Sequence, residues 1–348
     1  MGPEAAREVI VVDGSHGEGG GQILRTAVAL AAITGKACRV ERIRAGRPKP
    51  GLAASHLTAL RAAAAVCGGQ LRGAEIGSSA VEFEPGEIRG GRFEFDIGTA
   101  GAVTLVLQGL VPIALRADQA STFVLRGGTD VPWSPPIEYF EHIFCWWLQR
   151  MGAEVYILTR RHGFYPKGGG QVEVTVHPAS SLRPVRVTQA ADVSSLHVLS
   201  LASKDLSHAR VAERQVEGFR RGYYGPFEHT AEYVPAFSPG SSLHAHAHIG
   251  EAKVGANALG RRGVKAEAVG AEAAKNLHEE LEAGATLDRY MSDQILLYAA
   301  LADGPSEFTA REVTGHAETT MWLLPQFLDC GFETSSKGEN VRVAVTRR

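Results

Sequence analysis

Cysteine is scarce: Cys38, Cys67, Cys145 and Cys330 are the only four in 348 residues, far apart, set among apolar neighbours and never in a CxxC pair. That spacing excludes a thiolate zinc site and thiol–disulfide chemistry, and leaves reduced core thiols as the expectation. No apolar run reaches about 20 residues, so no membrane-spanning helix is expected. The longest, "AGAVTLVLQGLVPIALRA", is interrupted by Gln108 and Pro112 and reads as a buried helix. The amino-terminal "MGPEAAREVIVVDG" lacks the apolar core of a signal peptide and Ala6 breaks the myristoylation pattern, so the cytosol is the expected compartment. A surplus of positive charge is missing too. With a net charge of -2 the protein does not coat nucleic acid or membrane by bulk electrostatics, and any polyanion has to be held locally. Two basic runs offer such places, "RIRAGRPK" with Arg42, Arg44, Arg47 and Lys49, and "RRHGFYPKGGG" with Arg160, Arg161 and Lys167; a solvated loop is the plain alternative for each.

What is present is an ordinary globular composition, 44% hydrophobic and 21% charged, arranged as an internal repeat. "REVIVVDG" reads as a strand ending at Asp13, and glycines lead from it into "QILRTAVALAAITG", whose apolar residues have helical spacing. A strand, "ACRVERIRAG", a second helix from about Ala53 to Val66, and short strands through "AVEFEP" follow. About 83 residues on, "RFEFDIGTAGAVTLVLQGLVPIAL" repeats strand, aspartate, glycine turn and helix, with Asp96 answering Asp13 and Arg126 answering Arg44. In a third copy "MSDQILLYAAL" sets Gln294 over Gln22, and "EFTAREVTGH" ends at a Gly315-His316 turn. The first strand of this copy is found upstream in "LRPVRVTQ". Residues 186 to 285 are therefore expected as an insert, with strand "SLHVLSLAS", helix "SHARVAERQVEGFRRGYY", strands "HTAEYVP" and "SLHAHAHIG", and helix "VKAEAVGAEAAKNLHEELEAG". Three copies of one α/β unit predict pseudo-threefold packing, sheets inside and helices or solvent outside. His316, Arg47 and Thr129 stand at matching turns and would then face a common cleft.

The glycine-rich turn "VDGSHGEGGGQILRTAVAL" bares backbone N–H groups at a helix N-terminus, where phosphate binds. It is neither a GxxxxGK[ST] loop nor a GxGxxG fingerprint, and Val11 stands where lysine-adenylating ligases carry their nucleophile in KxDG. Glu18 among the glycines would weaken an anion site unless a divalent cation lies between its carboxylate and the phosphates, which makes it a metal-ligand candidate. The bland alternative is a carboxylate favourably placed near a helix N-terminus. Arg25, further along the helix, could reach the same phosphates. His316 is a candidate nucleophile, since imidazole can attack an α-phosphate to form a high-energy N–P bond; alone, a histidine at a helix N-terminus is an ordinary polar contact. His244, His246 and His248 share one face of a strand, but about 7 Å between successive positions suits one zinc poorly, and a solvated face is expected. The Trp146-Trp147 pair reads as core.

Taken together the motifs resemble the RNA 3'-terminal phosphate cyclases along nearly the whole chain. "DGSHGEGGGQILRTA", "IRAGRPKPGL", "HLTALRAAA", "FDIGTAGAVTLVLQ", "GGTDVPWSPP" and above all "HGFYPKGGGQVEV" carry the resemblance. It implies an α/β (α+β) fold of three βαβαββ-like units, residues 1–185 and 286–348, with a smaller inserted α/β domain, 186–285. It implies ATP-dependent conversion of an RNA 3'-phosphate to a 2',3'-cyclic phosphodiester through a histidine-AMP intermediate, releasing AMP and pyrophosphate. His316 would be adenylated and Glu18 would hold Mg2+ or Mn2+. Arg25, Arg44, Arg47 and His56 would neutralise ATP or RNA phosphates, while Gln108 and the segment Tyr290, Met291, Ser292, Asp293 and Gln294 would hold ATP. The partners implied are ATP and RNA with a 3'-phosphate, with no membrane, and a homodimer is admitted. The chain departs from the family's usual residues at Tyr290 (for His), Thr320 (for Asn) and Ser55 (for Gln). Two other readings share this architecture: a catalytically silent relative in ribosome assembly, which lacks the nucleophilic histidine, and an enolpyruvyl-transfer enzyme, which leaves the HGxxPxGGG motif unexplained.

Overall fold

The computed structural model describes residues 9–347; residues 1–8, on which the reading of the amino terminus partly rests, lie outside the described residues. The first unit runs β1 (Ile10–Asp13), α1 (Gly21–Thr34), β2 (Cys38–Glu41), α2 (Ala54–Cys67), β3 (Gln70–Arg72) and β4 (Val81–Glu84). In α1 the residues Ile23, Leu24, Ala27, Val28, Leu30 and Ala31 recur at helical spacing and are all buried, and Gly35 ends the helix in the left-handed conformation. The second unit runs β5 (Gly91–Asp96), α3 (Val103–Ala114), β6 (Ser121–Gly127), α4 (Ile137–Tyr139), a π-helical stretch Phe140–Cys145, α5 (Trp146–Arg150), β7 (Val155–Arg161) and β8 (Gly170–Val176).

The third unit opens with β9 (Arg186–Val187) and is then interrupted by β10 (Val193–Ser203), α6 (Val211–Gly222), β11 (Glu228–Val234), β12 (Ser241–Ile249), β13 (Ala252–Leu259) and α7 (Ala266–Ala283). It resumes with α8 (Met291–Leu301), β14 (Ser306–Ala310), α9 (Gly315–Leu323), β15 (Cys330–Lys337) and β16 (Asn340–Arg347). The sheets of the three units share one order, β1-β2-β4-β3, β5-β6-β8-β7 and β9-β14-β16-β15. In each, the first pair is parallel and the other two antiparallel. A helix must bridge the parallel pair, which is the βαβαββ plan.

The layers are the reverse of the sequence expectation. Helix α3 is buried almost all round, whereas in β5 and β7 exposed residues alternate with half-buried ones, apart from the buried Val155. A helix apolar on every side belongs inside, and an antiparallel sheet with period-two polarity keeps one face in water. So the helices form the centre, with α1, α2 and α3 packed on one another and α9 against α1, and the sheets lie outside. Leu107 and Leu110, 0% and 1% exposed, each contribute roughly 1.5–3 kcal/mol by burial.

The sheet of the interrupting segment has the order β11-β10-β12-β13. Helices α6 and α7 cover it and cross at two glycines: a Cβ on Gly270 would land on the carbonyl oxygen of Gln215, and one on Gly218 on that of Glu267. The strand β13, "AKVGANAL", is absent from the sequence expectation. The histidine face of β12 is a second departure. It is not solvated but packs on the π-helical stretch, with His142 stacked on His246 at 4.8 Å and on His244 at 5.8 Å, and His197 on His246 at 5.7 Å. Trp147 is core, as expected, and donates from Nε1 to the carbonyl of Lys253 at 3.0 Å. All four cysteines are free and buried, and burial pushes the Cys38 thiol up to about 12. Among the described residues no helix is long and apolar enough to cross a membrane.

Candidate functional site

The loop from Asp13 to Gly20 is held at both ends. Asp13 accepts from the backbone N–H and hydroxyl of Ser15 and pairs with Arg42 at 2.5 Å. His16 stacks on Trp322 of α9, ring centroids 3.8 Å apart. The glycines serve close approach: a Cβ on Gly17 would strike Thr319 of α9, and one on Gly21 would strike the His56 ring and crowd Arg25. Helix α1 has no side-chain cap, so the N–H groups of its first turn are available to a ligand.

Cations surround that helix end. His56 is pushed down to about 4, first by burial and then by Arg25 and Arg44, so it is neutral near pH 7. Its Nδ1 is buried without a partner. Burial lowers Arg25 only to about 10, which leaves it charged, and among the described residues it has no hydrogen-bond or ion-pair partner. Arg44 donates to the carbonyl of Gly51 at 3.0 Å. Guanidinium groups without carboxylates beside an uncapped helix end favour an oxyanion with several oxygens.

His316 reaches the same place from the third unit, at the second position of α9. Thr314 caps that helix, accepting from the Ala317 N–H at 3.0 Å and donating to Asp293 at 2.5 Å. Gln22 of α1 donates to the His316 carbonyl at 3.2 Å and to the Thr320 hydroxyl at 2.8 Å, and Thr320 in turn donates to the His316 carbonyl at 2.9 Å. The His316 backbone is thus fixed while its ring stays 47% exposed. Its Nε2 lies 3.9 Å from Glu18, too long for a hydrogen bond. Glu18 lies 3.6 Å from Arg47, which also donates to the Glu18 carbonyl at 2.9 Å. Gly315 leaves room for that carboxylate, because a Cβ there would come within 2.9 Å of it.

Helix α8 supplies the neighbouring wall. Asp288 caps it, accepting from the N–H groups of Tyr290 and Met291, and also takes the Tyr139 hydroxyl and the Gly255 N–H. Gln108 donates to Gln294 at 2.9 Å, and Gln294 donates to the Tyr290 carbonyl at 3.0 Å. Tyr290 presents a half-exposed ring, edge-on to Tyr139. Burial raises Asp293 to about 7, with Asp288 and Glu18 adding to the rise and the Thr314 hydrogen bond opposing it.

These groups share one cleft of about 2040 Å³, to which all three units contribute. It is lined by Glu18, Arg25, Arg44, Arg47 and His56 from the first unit, by Gln108 from the second, and by Tyr290, Asp293, Gln294 and His316 from the third. Met291 and Ser292 are buried outside that lining, Ser292 donating to the Arg289 carbonyl. Thr129, expected on the cleft by the repeat, is buried; its hydroxyl donates to Asp130, and it is Asp130 that reaches the cleft. Sequence reasoning passed over Gln22 and Thr320 as positioning groups, although the alignment of Gln22 with Gln294 was the available signal.

Among the described residues one trio has ligand atoms spaced for a metal: Asp130, Glu138 and His162. Here His162 is raised to about 9 by the Asp130 hydrogen bond and the charges of Glu138 and Asp130, against burial. At neutral pH its charge therefore pairs with Asp130 at 3.1 Å, which ties the "GGTD" loop to the "HGFYPKGGG" turn. The hydroxyl of Ser242 donates to the other Asp130 oxygen at 2.7 Å, joining the interrupting segment to both.

Known proteins match this chain across nearly its full length. The family model described as RNA 3'-terminal phosphate cyclase matches residues 16–334. A protein of Nitrosospira multiformis bearing that name is 43% identical over 338 residues, 95% of this chain and 95% of the relative. One from Methanopyrus kandleri is 41% identical over 348 residues, 97% of this chain and 98% of the relative, and one from Archaeoglobus fulgidus is 42% identical over 325 residues, 92% and 96%.

Proposed function

The chain belongs to the RNA 3'-terminal phosphate cyclase family, and from that membership we propose an ATP-dependent enzyme that closes an RNA 3'-phosphate to a 2',3'-cyclic phosphodiester. The observation that carries this reading is the meeting of a half-exposed His316, Nε2 turned to the loop carboxylate, with a helix end where Arg25 and Arg44 have no carboxylate partner among the described residues. His316 Nε2 attacks the α-phosphorus of ATP; the bond to the β-phosphate oxygen breaks and pyrophosphate leaves. An oxygen of the RNA 3'-phosphate then attacks the same phosphorus and displaces the imidazole, leaving AMP joined to the RNA end. Finally the adjacent 2'-oxygen attacks the 3'-phosphorus, its proton passes to solvent, and AMP departs. AMP makes one oxygen of an otherwise repellent phosphate dianion a good leaving group.

Arg25, Arg44, Arg47 and His56 hold the phosphates, and Gln108, Tyr290, Asp293 and Gln294 hold the nucleotide. The first turn of α9 places its positive end behind the phosphorus under attack. Glu18 would suit a hard divalent cation, since it is a half-exposed carboxylate on the glycine-rich loop beside the arginine-lined helix end. Mg2+ or Mn2+ held there would supply charge neutralisation to the polyphosphate. The cytoplasmic location and the division into 1–185 with 286–348 and an insert, 186–285, remain parts of the proposal. The pairing of β9 with β14 in the sheet of the third unit supports reading the segment that follows β9 as the insert.

The test offers the protein ATP, Mg2+ or Mn2+, and end-labelled RNA carrying a 3'-phosphate. The expected product is an end resistant to phosphatase, formed only with ATP, and absent when the RNA ends in a hydroxyl. In the same assay Glu18→Ala slows the reaction at least tenfold at low metal and recovers in part as metal is raised. Ends that stay phosphatase-sensitive with an adenylated protein would move the activity to another phosphate acceptor.

A further inference from the structure

The cleft is larger than one nucleotide needs, since pockets for ligands of that size run to about 300–1,000 Å³ and this one is about 2040 Å³. On its rim stands Trp133, 97% exposed, with a backbone φ of 69°. A bulky residue in the left-handed region is a genuine outlier. Pro132 on one side and Pro135 with Pro136 on the other restrict the segment that carries it. An isolated bridge between Asp130 and Phe164 lays this segment beside the "HGFYPKGGG" turn, so Tyr165, 69% exposed, follows one residue after the bridge and Trp133 three. Both line the cleft that holds His316.

The cleft also takes in the loop between β13 and α7, "GRRGVK". Arg262 and Lys265 are exposed there and, among the described residues, have no carboxylate partner, while Arg261 is engaged by Glu272 at 2.6 Å. Eight Arg and Lys side chains line the cleft against five carboxylates, a local surplus in a chain of net charge -2. Exposed aromatic faces beside unpaired cations are the two components with which proteins hold single-stranded nucleic acid without reading its sequence. A protein partner would favour an apolar patch, whereas Arg262 and Lys265, without carboxylate partners among the described residues, line the same cleft.

We propose that Trp133 and Tyr165 form a stacking platform for the unpaired bases just upstream of the RNA 3'-phosphate, with Arg262 and Lys265 holding the backbone that leads to it. The inference rests on the cyclase reading for the identity of the chain end, and it adds a preference for single-stranded over base-paired ends. Trp133 and Tyr165 are positioning residues: they hold the terminal phosphate within reach of His316 without touching the reacting atoms.

The test uses the full chain and a fluorescent ten-nucleotide single-stranded RNA with a 3'-phosphate, reading the dissociation constant by anisotropy. Trp133→Ala is expected to weaken binding about tenfold, which is about 1.4 kcal/mol, and Trp133→Phe to restore it to within about twofold. An abasic penultimate nucleotide weakens wild type to the same degree and Trp133→Ala no further. Arg262→Ala with Lys265→Ala flattens the salt dependence of binding by about two counterions. Thermal melting of each variant checks that it folds. Equal affinity of wild type and Trp133→Ala overturns the platform while leaving cyclisation untouched, and assigns the rim to a protein partner instead. RNA binding that depends on Trp133 in a protein that forms no cyclic ends upholds the platform and overturns the cyclase reading.

Discussion

His316→Ala is expected to abolish the covalent protein–AMP adduct formed from α-labelled ATP, and with it all cyclic ends. The wild-type adduct should be labile in acid and stable in base, as a phosphorus–nitrogen bond is. No other histidine near the phosphate loop can substitute. His56 is half-buried, its Nδ1 is buried without a partner, and Arg25 and Arg44 oppose any charge on it. His16 lies stacked on Trp322. Only His316 combines an exposed ring with a main chain fixed by Gln22 and Thr320. Thr314→Ala should leave the nucleophile but loosen it: losing the cap costs about 1 kcal/mol of helix stability, and it frees Asp293 from its hydroxyl partner. Labelling at wild-type level in His316→Ala would assign the nucleophile to another side chain.

Acid should unfold this protein earlier than its carboxylates alone would. Burial, the first cause in each case, pushes His142 down to about 4, His244 to about 3 and His56 to about 4, and it lowers His246 as well. Lys253 and the neighbouring histidines add to the depression in the cluster, and the hydrogen bond of Asn257 to His244 opposes it. The sign follows from the order of protonation. An unfolded histidine takes its proton near pH 6.5, the folded ones much lower, so the stability they contribute is complete above about 6.5 and is lost as pH falls toward 4. Asp293 and Asp288, raised to about 7 and about 6 mainly by burial, act the other way in that window, since the folded state takes their protons first. Glu138 and Glu141, raised first by burial, gain with those two, and His248, lowered by burial, loses with the other histidines. With five groups losing and four gaining, the net loss is about 1.4 kcal/mol per pH unit, against total stabilities of roughly 5–15 kcal/mol. Denaturant midpoints measured from pH 7 to pH 4 should fall below 6.5, and His246→Gln should flatten or reverse the slope. An unchanged slope in that variant would mean that the cluster is already hydrated.

The candidate site residues were legible because their types are rare in their settings: a glutamate among glycines, arginines at recurring turns, a histidine opening a helix. The three units were legible because Asp13 and Asp96, and Arg44 and Arg126, recur at matched distances. Strand β13 was not, since "AKVGANAL" is half alanine and glycine, residues poor in β propensity. What makes it a strand is tertiary: its partner β12 on one edge and Ile143 pressed against Gly255. The buried histidine face escaped for the same reason, because alternation along one strand does not say what packs on it. The inverted layers followed from polarity, not topology: "RFEFD" alternates and so keeps one face wet, while the all-apolar α3 could lie only inside. Trp133 carries no periodic signal, and only its place on the rim sets it apart.

The decisive measurement isolates protein charged with labelled AMP, removes free nucleotide and metal-bound pyrophosphate, and adds RNA ending in a 3'-phosphate. The label should leave His316 as AMP while cyclic ends appear in equal amount, with no further ATP. Label that stays on the protein, or cyclic ends that form while it stays, would contradict a single AMP passed from the third unit's histidine to the RNA end.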